Sequence, residues 1–325
     1  MITIYDRAAA GTGLVSRAPA QPIGGDTIWI DLVDPTQDED AAIEAALGIS
    51  IPTRAEMREI ESSSRLYADN GATYMTAFII EDIDAPLPQS STATFILTGG
   101  RLVTVRYSSP KAFPMFVARA EKGMVGCRDG GDVMMGIVEA LISQSADLIE
   151  RMQDEVEKLT AQLFHVKGGL QSRTRRLDVV LRATGKEGDT VATVQETAMS
   201  LERLLNFLRE MLRRGGGEPQ AIERIAAAMS DIASLNEHLS FLSDRTTFLL
   251  NATLGMITIE QNQIIKLFSV MAVMLMPPTL VASIYGMNFR YMPELTWEWG
   301  YPLALGLMFL AALIPFVYFK RKGWM

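Results

Sequence analysis

"IEQNQIIKLFSVMAVMLMPPTLVASIYGMNFRYMPELTWEWGYP", residues 259–302, contains one complete uncharged run and the start of another. From Leu267 to Phe289, and again from Trp299 to Phe319, there is no charged side chain. Each run has roughly the twenty residues needed to cross a hydrocarbon layer about 30 Å thick. Tyr285, Tyr291, Trp297, Trp299 and Tyr301 form an aromatic belt around the connector. Lys266 precedes the first run and "KRKGWM" (320–325) follows the second. Positive charge collects on the cytoplasmic side, so both termini are expected in the cytosol and the loop 290–298 outside.

Two helices cannot enclose a water-filled path, so the spans serve either as an anchor or as part of a ring of copies. Three features favour the ring. Pro277 and Pro278 sit mid-span, where neighbouring helices must satisfy the carbonyls they free. Ala272, Met276, Thr279, Ser283 and Gly286 recur at spacings that put them on one helical face, suited to close packing or to lining a lumen. Asn288 stands near the outer boundary, where its amide oxygen can face an entering ion.

The rest of the 325-residue chain reads as two soluble parts. Its charge of −8 and pI near 5.0 argue against nucleic acid as a partner. One cysteine and two histidines exclude an internal disulfide and a Cys/His metal cluster. The opening residues lack the apolar core of a signal peptide, so the N-terminal bulk is expected in the cytosol. "TIWIDLV" (27–33), "ATYMTAFII" (72–80), "TATFILT" (92–98) and "RLVTVRY" (101–107) read as strands, with "TGG" (98–100) as a turn. "DPTQDEDAAIEAALG" (34–48) reads as a helix with Pro35 just inside its start. The first part, residues 1–125, is thus a small α/β domain.

Residues 126–265 read as a helical hairpin and stalk. A helix covers 133–164, a second runs from about Thr190 to Arg214, and "RRGGGEP" (213–219) turns the chain into a third. Ile222, Ile225, Met229, Ile232, Leu235, Leu239 and Leu242 form an apolar seam along that third helix. With no proline between Pro219 and Pro277, it is expected to continue into the first span. Residues 266–325 then form a two-helix transmembrane part.

The stretch 259–302 closely resembles the CorA family of magnesium transport proteins. Tyr285-Gly286-Met287-Asn288, the "MPEL" loop, the "GYP" start of the second span and the terminal "KRKGW" match in order. The resemblance implies a homopentameric funnel in the inner membrane whose first span lines a pore and whose cytoplasmic part senses magnesium. It implies uptake of magnesium, with cobalt or nickel as further substrates, down an electrochemical gradient and without enzymatic chemistry. Consistently, no Gly-rich phosphate loop with a following Lys-Ser/Thr occurs. Zinc-moving relatives usually carry Gly-Val-Asn, so Met287 tilts the reading toward magnesium. A zinc transporter of the same superfamily and a non-conducting membrane-anchored scaffold are the alternatives.

Family positions assign further roles. Met276, Thr279 and Ser283 match pore-lining positions, and Phe268 and Ile265 are candidates for an apolar constriction that gates by dewetting. Glu294 matches an acidic position of the outer loop, where copies would gather cations. A regulatory magnesium site is implied between the α/β domain and a neighbouring stalk, with Glu59 and Asp231 as its ligands. Magnesium sheds its waters reluctantly. A ring of neutral amide oxygens from Asn288 would hold the hydrated ion without binding it too tightly for release.

Overall fold

The computed structural model describes all residues except 9–12, 18–22, 60, 165–169, 289, 291, 294–296 and 325. Alternating apolar residues build a seven-stranded sheet: β1 (Ile2–Arg7), β2 (Leu14–Arg17), β3 (Thr27–Val33), β4 (Leu66–Asp69), β5 (Ala72–Ile80), β6 (Ser90–Thr98) and β7 (Arg101–Arg106). Their order is β2-β1-β3-β7-β6-β5-β4. Only β3 and β7 pair in parallel; the other neighbours are antiparallel. The β6–β7 turn uses Gly99 and Gly100 at φ 54° and 76°, a region open to glycine at little cost.

Alternation along the strands separates two faces. One buries Ile30, Leu32, Ile96, Val103 and Val105 with Ile43 of α1 (Gln37–Leu47). Thr36 caps α1 in a reciprocal box with Glu39, and Gly48 ends it in the left-handed region. Pro35 therefore precedes the cap rather than opening the helix, because the Thr36 hydroxyl supplies the better N-terminal partner. A short turn of helix at Glu56–Arg58 and α2 (Ser62–Arg65) lead into β4.

The other face carries a buried polar chain. Asp31 accepts from Arg106 Nη2 at 2.7 Å and Nε at 3.1 Å and from the Thr104 hydroxyl at 2.7 Å. Trp29 Nε1 donates to Thr104 Oγ1 at 2.9 Å, so each polar group finds a partner. Over this layer pack Phe113 and Phe116 of α3 (Ala112–Glu121), with the Arg106 guanidinium 4.4 Å from the Phe113 ring. α4 (Gly130–Phe164) approaches closely because Gly136 lies against Phe116 and Gly130 against the backbone of Arg101 and Leu102.

α5 (Leu170–Gly215) begins some twenty residues before the expected second helix. α6 (Pro219–Tyr285) is one helix of 67 residues, and α7 (Gly300–Arg321) follows it. Ile225, Ile232, Leu239 and Leu242 of the expected seam are buried, joined by Ala228 and Leu249. Arg224 is clamped to Glu139 of α4 through two hydrogen bonds of 2.6 and 2.8 Å. The chain divides into two compact units, residues 1–164 with 182–250, and 165–181 with 251–325.

Candidate functional site

The second unit holds the membrane segments. The best 18-residue windows of α6 and α7 have mean hydropathies of 2.0 and 2.1, and only 6% of either is buried. Core helices of soluble domains are mostly buried, and these two are not. Both helices are long and apolar enough to cross a membrane.

Along the first span, shielding within the chain follows one stripe: Val270, Met274, Pro277, Val281 and Tyr285 are buried or half-buried. Ala272, Met276, Thr279, Ser283 and Gly286 are all exposed. At 3.6 residues per turn the two stripes lie about 180° apart around the helix. Ile265 and Phe268 are exposed and fall on the same face as Met276 and Thr279. The sequence-derived positions therefore share one continuous face, and it belongs to the broad surface this chain leaves uncovered, together with Val273, Leu275, Leu280 and Ile284. At the other margin Lys266 rests its ammonium 4.8 Å over the Trp324 ring.

The Tyr-Gly-Met-Asn motif terminates α6. Gly286 N–H donates to the Ala282 carbonyl at 3.0 Å and Met287 N–H to that of Ile284 at 3.2 Å. Among the described residues no backbone donor reaches the carbonyls of Ser283 and Tyr285. The negative end of the helix dipole is thus presented beside Asn288, which is exposed. A side chain at position 286 would place Cβ 3.1 Å from the Ala282 carbonyl, so glycine fits the tight cap. Thr279 donates its hydroxyl to the Leu275 carbonyl at 2.7 Å. Among its members this set has no cation and no carboxylate: it consists of carbonyl, amide and hydroxyl oxygens.

Glu294, expected at the outer mouth, lies outside the described residues, as does Tyr291. Glu59 and Asp231 are both exposed in the first unit, and neither forms an ion pair among the described residues. No hydrogen bond or ion pair joins them within one chain. Glu56, beside Glu59 in sequence, is committed locally: it accepts from Thr53 N–H at 2.7 Å and from its hydroxyl at 2.9 Å. Among the described residues no group of three or more His, Cys, Asp or Glu converges as a metal cluster within the chain.

Sequence comparison extends the reading from the motif to nearly the whole molecule. The model of the family described as CorA-like Mg2+ transporter protein matches residues 24–321. The chain belongs to the CorA-like Mg2+ transporter family. Within that family it is 37% identical over 300 residues to the magnesium transport protein CorA of Salmonella typhimurium, covering 92% of each. It is also 37% identical over 298 residues to the magnesium transport protein CorA of Escherichia coli K12, again covering 92% of each. In fold it resembles the complete structure of the CorA magnesium transporter of Methanocaldococcus jannaschii, with a TM-score of 0.77 at 19% identity, covering 100% of this chain and 99% of that one. As a member of the CorA-like family it is a transport protein with two membrane helices, not an enzyme.

Proposed function

We propose that the chain carries magnesium inward across the inner membrane as a homopentameric channel, with both termini cytoplasmic. The observation that supports this most is the exposed polar and small-residue face of the first span, opposite the stripe shielded within the chain. Left facing lipid, hydroxyls and a terminal amide gain nothing; turned inward around an axis, they line a lumen. Five α6 C-termini would direct their partial negative charges at the mouth and concentrate cations there. Asn288 would grip the ion through its waters, while Phe268 and Ile265 would close the inner end by excluding water. Cobalt and nickel, also hydrated dications, fit the same collar.

Gating by cytoplasmic magnesium fits the acidic surface of the first unit. Glu59 of one copy and Asp231 of the next offer hard oxygen ligands suited to magnesium. The cation would offset their mutual repulsion and hold the ring shut.

Flux of magnesium, cobalt, nickel and zinc in proteoliposomes of the purified chain tests the proposal. Magnesium entry is expected in the wild type and its near-complete loss in Asn288→Ala. Absence of any divalent flux supports the scaffold reading, and a preference for zinc supports the zinc-transporter reading. Normal magnesium entry in the variant removes the collar.

A further inference from the structure

β4 pairs with β5 only over Ala72–Met75, so the end of β5 runs on with one edge bare of strand. α5 occupies that edge. The Phe78 N–H donates to Ser200 Oγ at 2.9 Å, and Ser90 Oγ donates to Glu196 Oε2 at 3.2 Å. The seam leaves a cleft of about 450 Å³ whose lining includes Arg65, Phe78, Gln195, Glu196, Ser200 and Arg203. Its volume lies in the range of small-molecule sites.

The lining carries two guanidinium groups against one carboxylate. Arg65 is only 9% exposed, its guanidinium lies 4.3 Å over the Phe78 ring, and its Nε donates to the Glu59 carbonyl. Among the described residues its terminal nitrogens meet no acceptor. Arg203 lines the same cleft and pairs with no carboxylate there. Ser200 accepts from Phe78, which leaves its own O–H free to donate. Glu196 sets one carboxylate against the two guanidinium groups, with Ser90 donating to its Oε2. Burial and the neighbouring Arg203 both hold the Arg65 pKa below its ordinary value, against the pull of Glu196. A buried guanidinium with open N–H groups is costly until an acceptor arrives.

We propose that this cleft binds an oxyanion, the phosphate or carboxylate group of a small molecule, held by Arg65 and Arg203 and completed by the Ser200 hydroxyl. A planar guanidinium fork matches both groups with paired, charge-assisted hydrogen bonds. With two guanidinium groups against one carboxylate, the lining favours an anion over a cation.

Equilibrium dialysis of the full chain in detergent tests it, with inorganic phosphate and succinate as separate probes at constant chloride and ionic strength. Saturable binding of one of them, one per chain, is expected. Arg203→Gln alters an exposed side chain and should leave folding intact while weakening binding about tenfold or more. Arg65→Lys, which keeps the charge but removes the fork, should weaken it to a similar degree. No saturable binding of either probe up to tens of millimolar, or binding unchanged in Arg203→Gln, overturns the proposal. Which probe binds decides between phosphate and carboxylate.

Discussion

The Thr279 hydroxyl donates to the Leu275 carbonyl one turn back, 2.7 Å away, and thereby points only lone pairs away from the helix. Water bound to a dication presents hydrogens outward, so a ring of such oxygens accepts from a hydrated ion. Thr279→Val removes the acceptor at nearly constant volume and is expected to lower magnesium flux several-fold, about 1 kcal/mol in barrier. Thr279→Ser retains the oxygen and the flux. An entrapped magnesium indicator in proteoliposomes reads both. Equal rates in all three proteins would mean that this position does not touch the path.

Glu59 and Asp231 carry the regulatory prediction. Both carboxylates are exposed and form no ion pair among the described residues. Magnesium is expected to protect the wild type against limited proteolysis, with Glu59→Ala and Asp231→Ala each needing several-fold more metal for the same protection. Protection curves that superimpose for all three rule out this pair.

Much of this was legible in the sequence because the signals were local. Uncharged runs gave the spans, β-branched alternation gave β3, β5, β6 and β7, and "TGG" gave the turn between the last two. The edge strands β2 and β4, and β1 beside β2, are not legible there: short segments owe their strand character to pairing with neighbouring strands. The early start of α5 was missed too, since its first turns are polar and show no apolar period. Motif spacing places Met276, Thr279 and Ser283 on one face, but that this face lies opposite the stripe shielded within the chain needs the packed helices. Nothing in the sequence brings Arg65 to Arg203, because 137 intervening positions hide their meeting at a sheet edge.

Two helical glycines should respond oppositely to alanine. At Gly136 a Cβ would stand 2.3 Å from Phe116 Cε2, and that ring is itself packed edge-on against Trp29 at 5.9 Å. Gly136→Ala is expected to cost about 1–3 kcal/mol through overpacking. At exposed Gly185 nothing lies within 4 Å, so Gly185→Ala should stabilise by about 0.5–1 kcal/mol through backbone entropy. Denaturant midpoints of the two variants moving in the same direction would contradict this packing.

Tyr5 sets an alkaline limit. Its ring stacks on Trp29 at 4.2 Å, and burial, followed by the Asp31 charge, pushes its pKa up to about 12. Above pH 10 the unfolded chain releases this proton while the folded chain keeps it, so stability falls as pH rises. The loss should reach about 2–3 kcal/mol near pH 12, and none is due below pH 9. Tyr67 and Tyr107 shift in the same direction, so the informative quantity is the difference between wild type and Tyr5→Phe. That difference, followed by unfolding midpoints from pH 8 to 12, should change through this window and stay flat below it.

Cys127 makes the proposed lumen directly testable. It is fully buried, and burial with the nearby Asp132 charge raises its thiol to about pKa 11, so at pH 7.5 it is almost entirely protonated and shielded from reagents. The wild-type chain is therefore a quiet background for introduced cysteines. Placed at Thr279 or Ser283, a cysteine facing water will react with a charged methanethiosulfonate added from outside, and the attached group will obstruct magnesium flux. Placed at Val281 or Met274, on the opposite stripe, it is shielded within the chain and should react at least tenfold more slowly with flux unchanged. The comparison separates a lumen from a lipid-facing surface, because a membrane-impermeant thiol reagent does not enter hydrocarbon and thiolate formation there is suppressed. Reaction at Val281 and Met274 with silence at Thr279 and Ser283 would rotate the helix by half a turn and assign the path to the wrong face here.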